Sequence, residues 1–141
     1  MATVTGALSA LLAQVASVPA LRAAWEDLLA SDREDGVLGD GVRRFADDLP
    51  DALEDIAASL AAGTWQPGSL SEVRIPKQGG GVRTLHIPAV RDRIVERALL
   101  DVLTPLVDPV LGPSSFAYRP GLGVADACRL WHGCETKASA G

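Results

Sequence analysis

The spacing of apolar residues is helical before residue 66 and becomes alternating from Ser71 onward. In the first part, apolar side chains recur every three or four positions, which is typical of amphipathic helices. The pattern predicts helices over residues 4–16, 20–31 and 41–62, with a break at 17–19 and a polar loop at 32–40. Pro50 either kinks the third helix or begins a new one with Asp48 as its N-cap, and Gly63 is expected at the C′ position.

The alternating segment predicts a β-hairpin. Two short apolar runs flank a glycine-rich turn signal at residues 78–82. Because side chains alternate faces along a strand, pairing Ile75 with Leu85 and Val73 with Ile87 places all four apolar residues on one face. We expect this face to pack against the helix that follows, which bears Ile94 and Leu99.

The same register places Lys77 opposite Arg83 near the hairpin tip. Like charges directly opposite each other destabilise a strand pair, so the two cations either splay into water or bind an anion between them. Two interpretations stay open. The tip is a solvated basic turn, or it is a clamp for a polyphosphate that the glycines allow to approach the backbone closely.

Beyond the hairpin, the pattern predicts a helix over residues 90–103, a loop over 112–123 and a helix beginning at Val124. Pro105 and Pro109 limit residues 106–111 to a short turn of helix. The predicted fold class is α/β in the α+β sense, mostly helical with one antiparallel hairpin. It divides into an N-terminal helical region (1–66), a region with the hairpin and its helices (67–131), and a frayed tail (132–141).

Composition narrows the class of protein. The 141 residues are 48% hydrophobic, enough for a domain with a core. No apolar run approaches the ~20 residues of a membrane helix, and a basic n-region is lacking, so a cytoplasmic protein without membrane contact is expected. The net charge of −5 argues against a general nucleic-acid binder. However, residues 67–100 carry six basic and three acidic side chains, so a local basic patch coincides with the hairpin and the next helix.

Three ordered motifs lie between residues 60 and 121. The first is Leu60-Ala61-Ala62-Gly63-Thr64-Trp65-Gln66-Pro67. The second comprises Ile75-Pro76-Lys77, the glycine turn, Arg83-Thr84-Leu85-His86-Ile87-Pro88 and Asp92-Arg93-Ile94-Val95-Glu96. The third is Ser115-Phe116-Ala117-Tyr118-Arg119-Pro120-Gly121. In this order they resemble the lead-in, the first block and the second block of bacterial reverse transcriptases of the group II intron and CRISPR-associated type. The resemblance covers residues 25–127, so it implies the fingers subdomain of an RNA-directed DNA polymerase.

The resemblance also implies roles for five basic residues. Lys77 and Arg83 match the family cations that hold the triphosphate of the incoming nucleotide. Arg91 and Arg93 lie where contacts to the template backbone are expected. Arg119 matches the arginine of the second block, and for it two roles stay open, a template contact or a hydrogen bonder that braces its own loop.

The catalytic part of the family is expected to be absent from this sequence. In the family, the aspartates that hold two catalytic metal ions lie in the palm, beyond the second block. Phe45-Ala46-Asp47-Asp48 looks like the metal-binding box but precedes both blocks on a predicted amphipathic helix, so we interpret it as a solvated acidic face. No catalytic or metal-binding residue is therefore assigned, and Mg²⁺ is expected only in the intact enzyme.

The sequence is consequently interpreted as fingers without palm or thumb, inactive as a polymerase by itself. In the intact enzyme the partners would be an RNA/DNA template-primer and a nucleoside triphosphate. Two alternatives stay open. The chain is a non-catalytic interaction module that docks on a separately encoded palm or a CRISPR adaptation integrase, or it is a non-functional truncated remnant.

Overall fold

In a computed structural model of the protein, residues 2–34, 39–119 and 121–138 are described. The chain is mostly helical with one two-stranded antiparallel sheet, which confirms the predicted α+β class. The elements in chain order are α1 (Ala2–Val15), α2 (Val18–Glu34), α3 (Asp40–Asp47), α4 (Leu49–Ala61), β1 (Ser71–Pro76), β2 (Val82–Ile87), α5 (Val90–Val107), a 3₁₀ turn (Asp108–Val110) and α6 (Val124–Ala138).

The chain forms two compact units, Met1–Val102 and Leu103–Gly141. This division differs from the one drawn at residue 66 on the sequence. The reason is that Ile94 and Ala98 of α5 are buried in the same core as the residues of α2 and α4. The first turns of α5 thus belong with the N-terminal helices.

The core of the first unit is built from the helical stripes that the sequence predicts. Its four largest fully buried side chains are Leu21, Leu53, Ile56 and Ile94. Burial of each such side chain is worth ~1.5–3 kcal/mol. The rings of Trp25 and Phe45 lie 5.2 Å apart at its edge, and Val42 is also buried, so α3 is held to the core by one apolar side.

Two of the helix boundaries predicted from Pro50 and Gly63 agree with the structure, and one predicted loop does not. Pro50 lies in the first turn of a new helix, and the Asp48 carbonyl accepts a hydrogen bond from the Ala52 N–H at 3.0 Å, without a cap from the Asp48 side chain. Gly63 has a φ of +68°, as expected for a C′ glycine. The predicted loop at 32–40 is wrong at its start, because α2 continues to Glu34. Residues 35–38 of that loop lie outside the described residues.

The hairpin is present, but its register differs by two residues from the predicted one. Val73 pairs with Leu85, and Ile75 pairs with Arg83. The turn occupies residues 77–81, and Val82 belongs to β2 opposite Pro76. Gly80 and Gly81 adopt φ values of +87° and +85°, a conformation that lets the chain reverse before Val82. Because a shift of two preserves the faces, the four apolar residues still share one side.

The predicted packing of that face against α5 is wrong. Ile94 is fully buried in the helical core, whereas Leu99 is 45% exposed. On the hairpin, Val73, Ile75 and Ile87 remain 36–40% exposed. The buried residues of α5 belong instead to the core that α2 and α4 form.

The second unit differs from prediction at both of its helices. Pro105 lies inside α5, which ends only at Val107, and the short turn with Pro109 follows. The frayed tail predicted from residue 132 is wrong as far as Ala138, where α6 ends. Residues 135–138 combine Glu, Lys and Ala, which favour helix without an apolar stripe. Residues 139–141 lie outside the described residues.

Among the described residues, none of the helices taken singly has both the length and the apolar character to cross a membrane. Thr5–Val15 and Val18–Glu34 satisfy length and composition only as a pair bent by 56°.

Candidate nucleic-acid interface

The hairpin turn holds the first pair of candidate residues. The Lys77 N–H donates to the Gly81 carbonyl at 3.1 Å, and the Gly80 N–H donates to the Lys77 carbonyl at 3.1 Å. These two hydrogen bonds close the turn and place Lys77 opposite Gly81. The predicted juxtaposition of Lys77 with Arg83 is therefore wrong, since Arg83 lies opposite Ile75.

Lys77 and Arg83 still occupy neighbouring positions at one end of the hairpin. Positions related diagonally across an antiparallel pair are typically about 7–8 Å apart. Both residues are exposed, and neither forms an ion pair or side-chain hydrogen bond with any residue that the structure describes. Arg74, by contrast, forms an ion pair with Glu72 at 3.1 Å on the same hairpin. The two candidate cations are thus available to an external anion.

Arg91 lies in the first turn of α5. Its guanidinium carbon is 5.5 Å from the centre of the Trp65 ring, within the range of a cation–π contact. Trp65 packs against the helical core, so the ring holds the arginine in place. Arg91 is exposed and has no carboxylate partner among the described residues, so its guanidinium is available to a phosphate.

Arg93 is engaged within the protein. Its Nη2 atom lies 2.6 Å from Oδ1 of Asp32, and its Nη1 atom lies 3.2 Å from Oδ2. The Arg93 and Asp32 side chains are 30% and 12% exposed. A bidentate pair of this kind is among the stronger charge-assisted contacts, so Arg93 joins the start of α5 to the end of α2.

Asp92 is a structural residue that the sequence interpretation did not assign. Its side chain is 7% exposed, and Oδ2 accepts a hydrogen bond from the Gly68 N–H at 2.9 Å. A Cβ atom at Gly68 would lie only 3.2 Å from that oxygen. The contact holds the segment before β1 against the start of α5. In the sequence, the only signal at Asp92 was its position in the first turn of a predicted helix, where a carboxylate interacts favourably with the helix dipole.

Arg119 lies in the second unit and braces its own loop. Its Nε donates to Oδ1 of Asp108 at 2.7 Å, and Nη1 donates to the Ser115 carbonyl at 3.0 Å. The hydrogen bond from Arg119 holds the pKa of Asp108 below its ordinary value, and the bond to Asp108 raises the pKa of Arg119. The Arg119 side chain is 16% exposed. The bracing interpretation therefore has a geometric basis, while a template contact stays a prediction.

The carboxylates near α3 do not fit a metal site. Asp47 and Asp48 are exposed at the end of α3, while Phe45 packs toward the core. Within the ranges that the structure describes, no group of three or more His, Cys, Asp or Glu side chains is placed to hold a metal ion. No catalytic step through Mg²⁺ is derived for these residues.

Comparison with known proteins gives one partial likeness. No protein-family model matches the chain. The chain is 39% identical over 77 residues to Protein YkfC of Escherichia coli (strain K12), a match that covers 55% of this chain. It spans only 20% of that protein's length.

Proposed function

We propose that this chain forms the N-terminal fingers part of an RNA-directed DNA polymerase of the reverse-transcriptase type. The observation that supports the proposal best is the pair Lys77 and Arg83. Both are exposed without a described partner at the end of a hairpin that leads into α5. The order of the three sequence motifs supports the same proposal.

The proposed ligand of the pair is the triphosphate of a nucleotide. Arginine binds phosphate oxygens in a bidentate manner, and lysine acts as a point charge. A polyphosphate carries anionic groups along its length, so it can bridge two cations that are diagonal rather than opposite. The glycines at 79–81 carry no side chains that would keep a ligand away from the backbone.

The remaining arginines take different proposed roles. Arg91 is exposed beside Trp65 and is proposed to contact a template phosphate. Arg93 is proposed to act through Asp32, by orienting α5, and Arg119 by ordering the loop of the third motif. The whole enzyme would act in the cytoplasm on an RNA/DNA template-primer. Its palm, which would hold Mg²⁺, would belong to a longer chain or to a separately encoded protein. An adaptation integrase is a further proposed partner.

The proposal is tested by titrating the chain with a deoxynucleoside triphosphate and following backbone amide shifts at residues 77–83. Binding is expected no tighter than about 1 mM, equivalent to roughly 4 kcal/mol, because only exposed charge pairs contribute. It should weaken as salt increases and show no preference among bases. A Lys77→Ala, Arg83→Ala double variant should lose the shifts.

An Arg74→Ala variant is the matched control, since Arg74 is an exposed cation of the same hairpin with a partner in Glu72. It should retain the shifts. Equal shifts in the wild type and in the double variant would overturn the proposal, because the tip would then be a solvated turn without a binding role.

A further inference from the structure

A groove of about 1030 Å³ lies between α3 and the hairpin in the first unit. The hairpin contributes Ser71, Ile75 and Ile87, which belong to one face of the sheet. The opposite wall comes from α3 and includes Val42 and Phe45. Pro88, Ala89 and Val90 also line it, so the surface of the groove is largely apolar.

The apolar wall on the hairpin is only partly covered. Ile75 and Ile87 are 36% and 39% exposed, although they lie on the face that a hairpin normally buries. A two-stranded sheet is at best marginally stable without packing on one face. An occupant that covers this face would therefore stabilise the hairpin as well as fill the groove.

The rim of the groove is positively charged. Arg44, Arg91 and Arg93 line it together with Asp32. Asp32 neutralises Arg93, but neither Arg44 nor Arg91 has a carboxylate partner among the described residues. Two cations without carboxylate partners beside apolar lining residues favour an occupant that is both apolar and acidic.

The shape and composition of the groove favour a helix over a nucleic-acid strand. Single-stranded nucleic acids bind by stacking their bases on exposed aromatic rings. The one aromatic side chain in the groove is Phe45, whose ring already contacts Trp25 at 5.2 Å. The hairpin also presents its face rather than its edge, so the occupant packs side chains instead of adding a strand.

Helices α1, α2 and α4 of a second copy of this chain do not suit the groove. The apolar stripes of α2 and α4 are buried in the core of their own unit. The sequence of α1 contains leucines but no acidic residue. The charges and apolar residues of the groove favour a helix of a partner protein. Binding by a second copy through α5 or α6, which carry exposed apolar residues, would instead give self-association of the chain without peptide and would overturn the proposal.

We propose that the groove binds an amphipathic helix of a partner protein, with an apolar stripe flanked by Asp or Glu side chains. The apolar stripe would lie on Ile75 and Ile87, and the carboxylates would pair with Arg44 and Arg91. Lys77 does not line the groove, whereas Arg83 pairs with Ile75 on the face that forms its wall. A Lys77→Ala variant should therefore bind such a helix as the wild type does.

The probe is a fluorescent synthetic peptide of about 18 residues, or roughly five helical turns. It carries leucines at helical spacing with flanking glutamates. A second peptide has lysine at each glutamate position, and a single-stranded RNA of about 12 nucleotides is the third probe. Binding to the full chain is measured by fluorescence anisotropy, and backbone amide shifts locate it.

Two pairs of variants separate the groove from the rest of the surface. Arg44→Glu reverses a rim charge, and Arg43→Glu reverses the adjacent charge on α3, which does not line the groove. Gly41→Phe fills the groove, because a Cβ at Gly41 would lie 3.7 Å from Val90, in ordinary contact. Gly6→Phe is its control on α1, where nothing lies within 4 Å. Circular dichroism establishes that each variant is folded.

The glutamate peptide is expected to bind the wild type and to shift amides of α3 and the hairpin. Arg44→Glu should weaken its binding about fivefold, while Arg43→Glu changes it less than about twofold. Gly41→Phe should abolish binding and Gly6→Phe should not. Equal binding of the two peptides, equal effects of the Arg43 and Arg44 variants, or groove shifts with RNA but not with the peptide would each overturn the proposal. So would no binding at about 1 mM peptide.

Discussion

Arg93 and Asp32 form a two-point ion pair although 61 positions separate them in the sequence. The shorter contact joins Nη2 to Oδ1 at 2.6 Å. Because Asp32 lies in the last turns of α2 and Arg93 in the first turn of α5, this pair connects the end of one helix to the beginning of the other. Because the hairpin leads directly into α5, the ion pair also helps to orient the segment that joins β2 to α5.

Replacement of Asp32 should therefore be costly. An Asp32→Ala substitution leaves Arg93 without its anion in a half-buried position, and we expect the free energy of unfolding to fall by about 1–3 kcal/mol. Urea denaturation measures the change. Adding Arg93→Ala to Asp32→Ala should recover part of the loss, because no unpaired charge then remains.

Asp27→Ala is the matched control for this experiment. Asp27 pairs with Arg97 at 2.7 Å between the same two helices, but both side chains are about half exposed (53% and 44%). The expected loss is about 0–1 kcal/mol. A loss at Asp27 that equals the loss at Asp32 would contradict a special role for the Arg93 pair.

Substitution of a turn glycine should destabilise the hairpin only where that glycine has a positive φ. Gly80 and Gly81 have positive φ values, in which a Cβ atom costs roughly 1–2 kcal/mol. Gly80→Ala and Gly81→Ala should each raise the rate of amide hydrogen exchange in the hairpin. Gly79→Ala should have little effect, since Gly79 lacks a positive φ and has nothing within 4 Å of its Cβ position. The same exchange rate in all three variants would contradict the turn geometry.

The contact between Asp108 and Arg119 should respond to acid. The hydrogen bond from Arg119 holds the pKa of Asp108 below its ordinary value of 3.8. A carboxylate with a lowered folded pKa contributes stability above its unfolded pKa and loses it as the pH falls through the folded one. An acid titration followed by the carboxyl carbon signal of Asp108 should give a midpoint below 3.8.

Arg119→Ala should raise that midpoint toward the ordinary value, while Arg129→Ala should leave it unchanged, because Arg129 pairs with Asp126 at 2.8 Å. A midpoint that is unmoved by loss of Arg119 would mean that the loop is held in some other way.

The acidic pair at the end of α3 should play no part in polymerisation. Phe45 packs toward the core, and the exposed Asp47 and Asp48 belong to no metal-binding group among the described residues. Primer extension on an RNA template with the purified chain and Mg²⁺ or Mn²⁺ should yield no product above background. Extension that survives purification and disappears in an Asp47→Asn, Asp48→Asn variant would show that the box is catalytic.

The sequence by itself determined the secondary structure of most of the chain and the inward side of each helix. The change of apolar spacing at Ser71 predicted the hairpin, and Gly63 and Pro50 marked helix boundaries that the structure confirms. These features depend on residues close together in sequence, through helical or alternating spacing and local backbone preferences. The shared face of Val73, Ile75, Leu85 and Ile87 was predictable for the same reason.

Only the tertiary structure decided the register of the hairpin and the partners of the charged residues. The register depends on where the glycine turn closes, and apolar alternation is satisfied equally by two registers that differ by two residues. Arg93 with Asp32, and Asp92 with Gly68, are joined across 61 and 24 positions. Such pairs form because the packing of α5 on α2 and α4 brings the groups together, and no local pattern of residues specifies that packing.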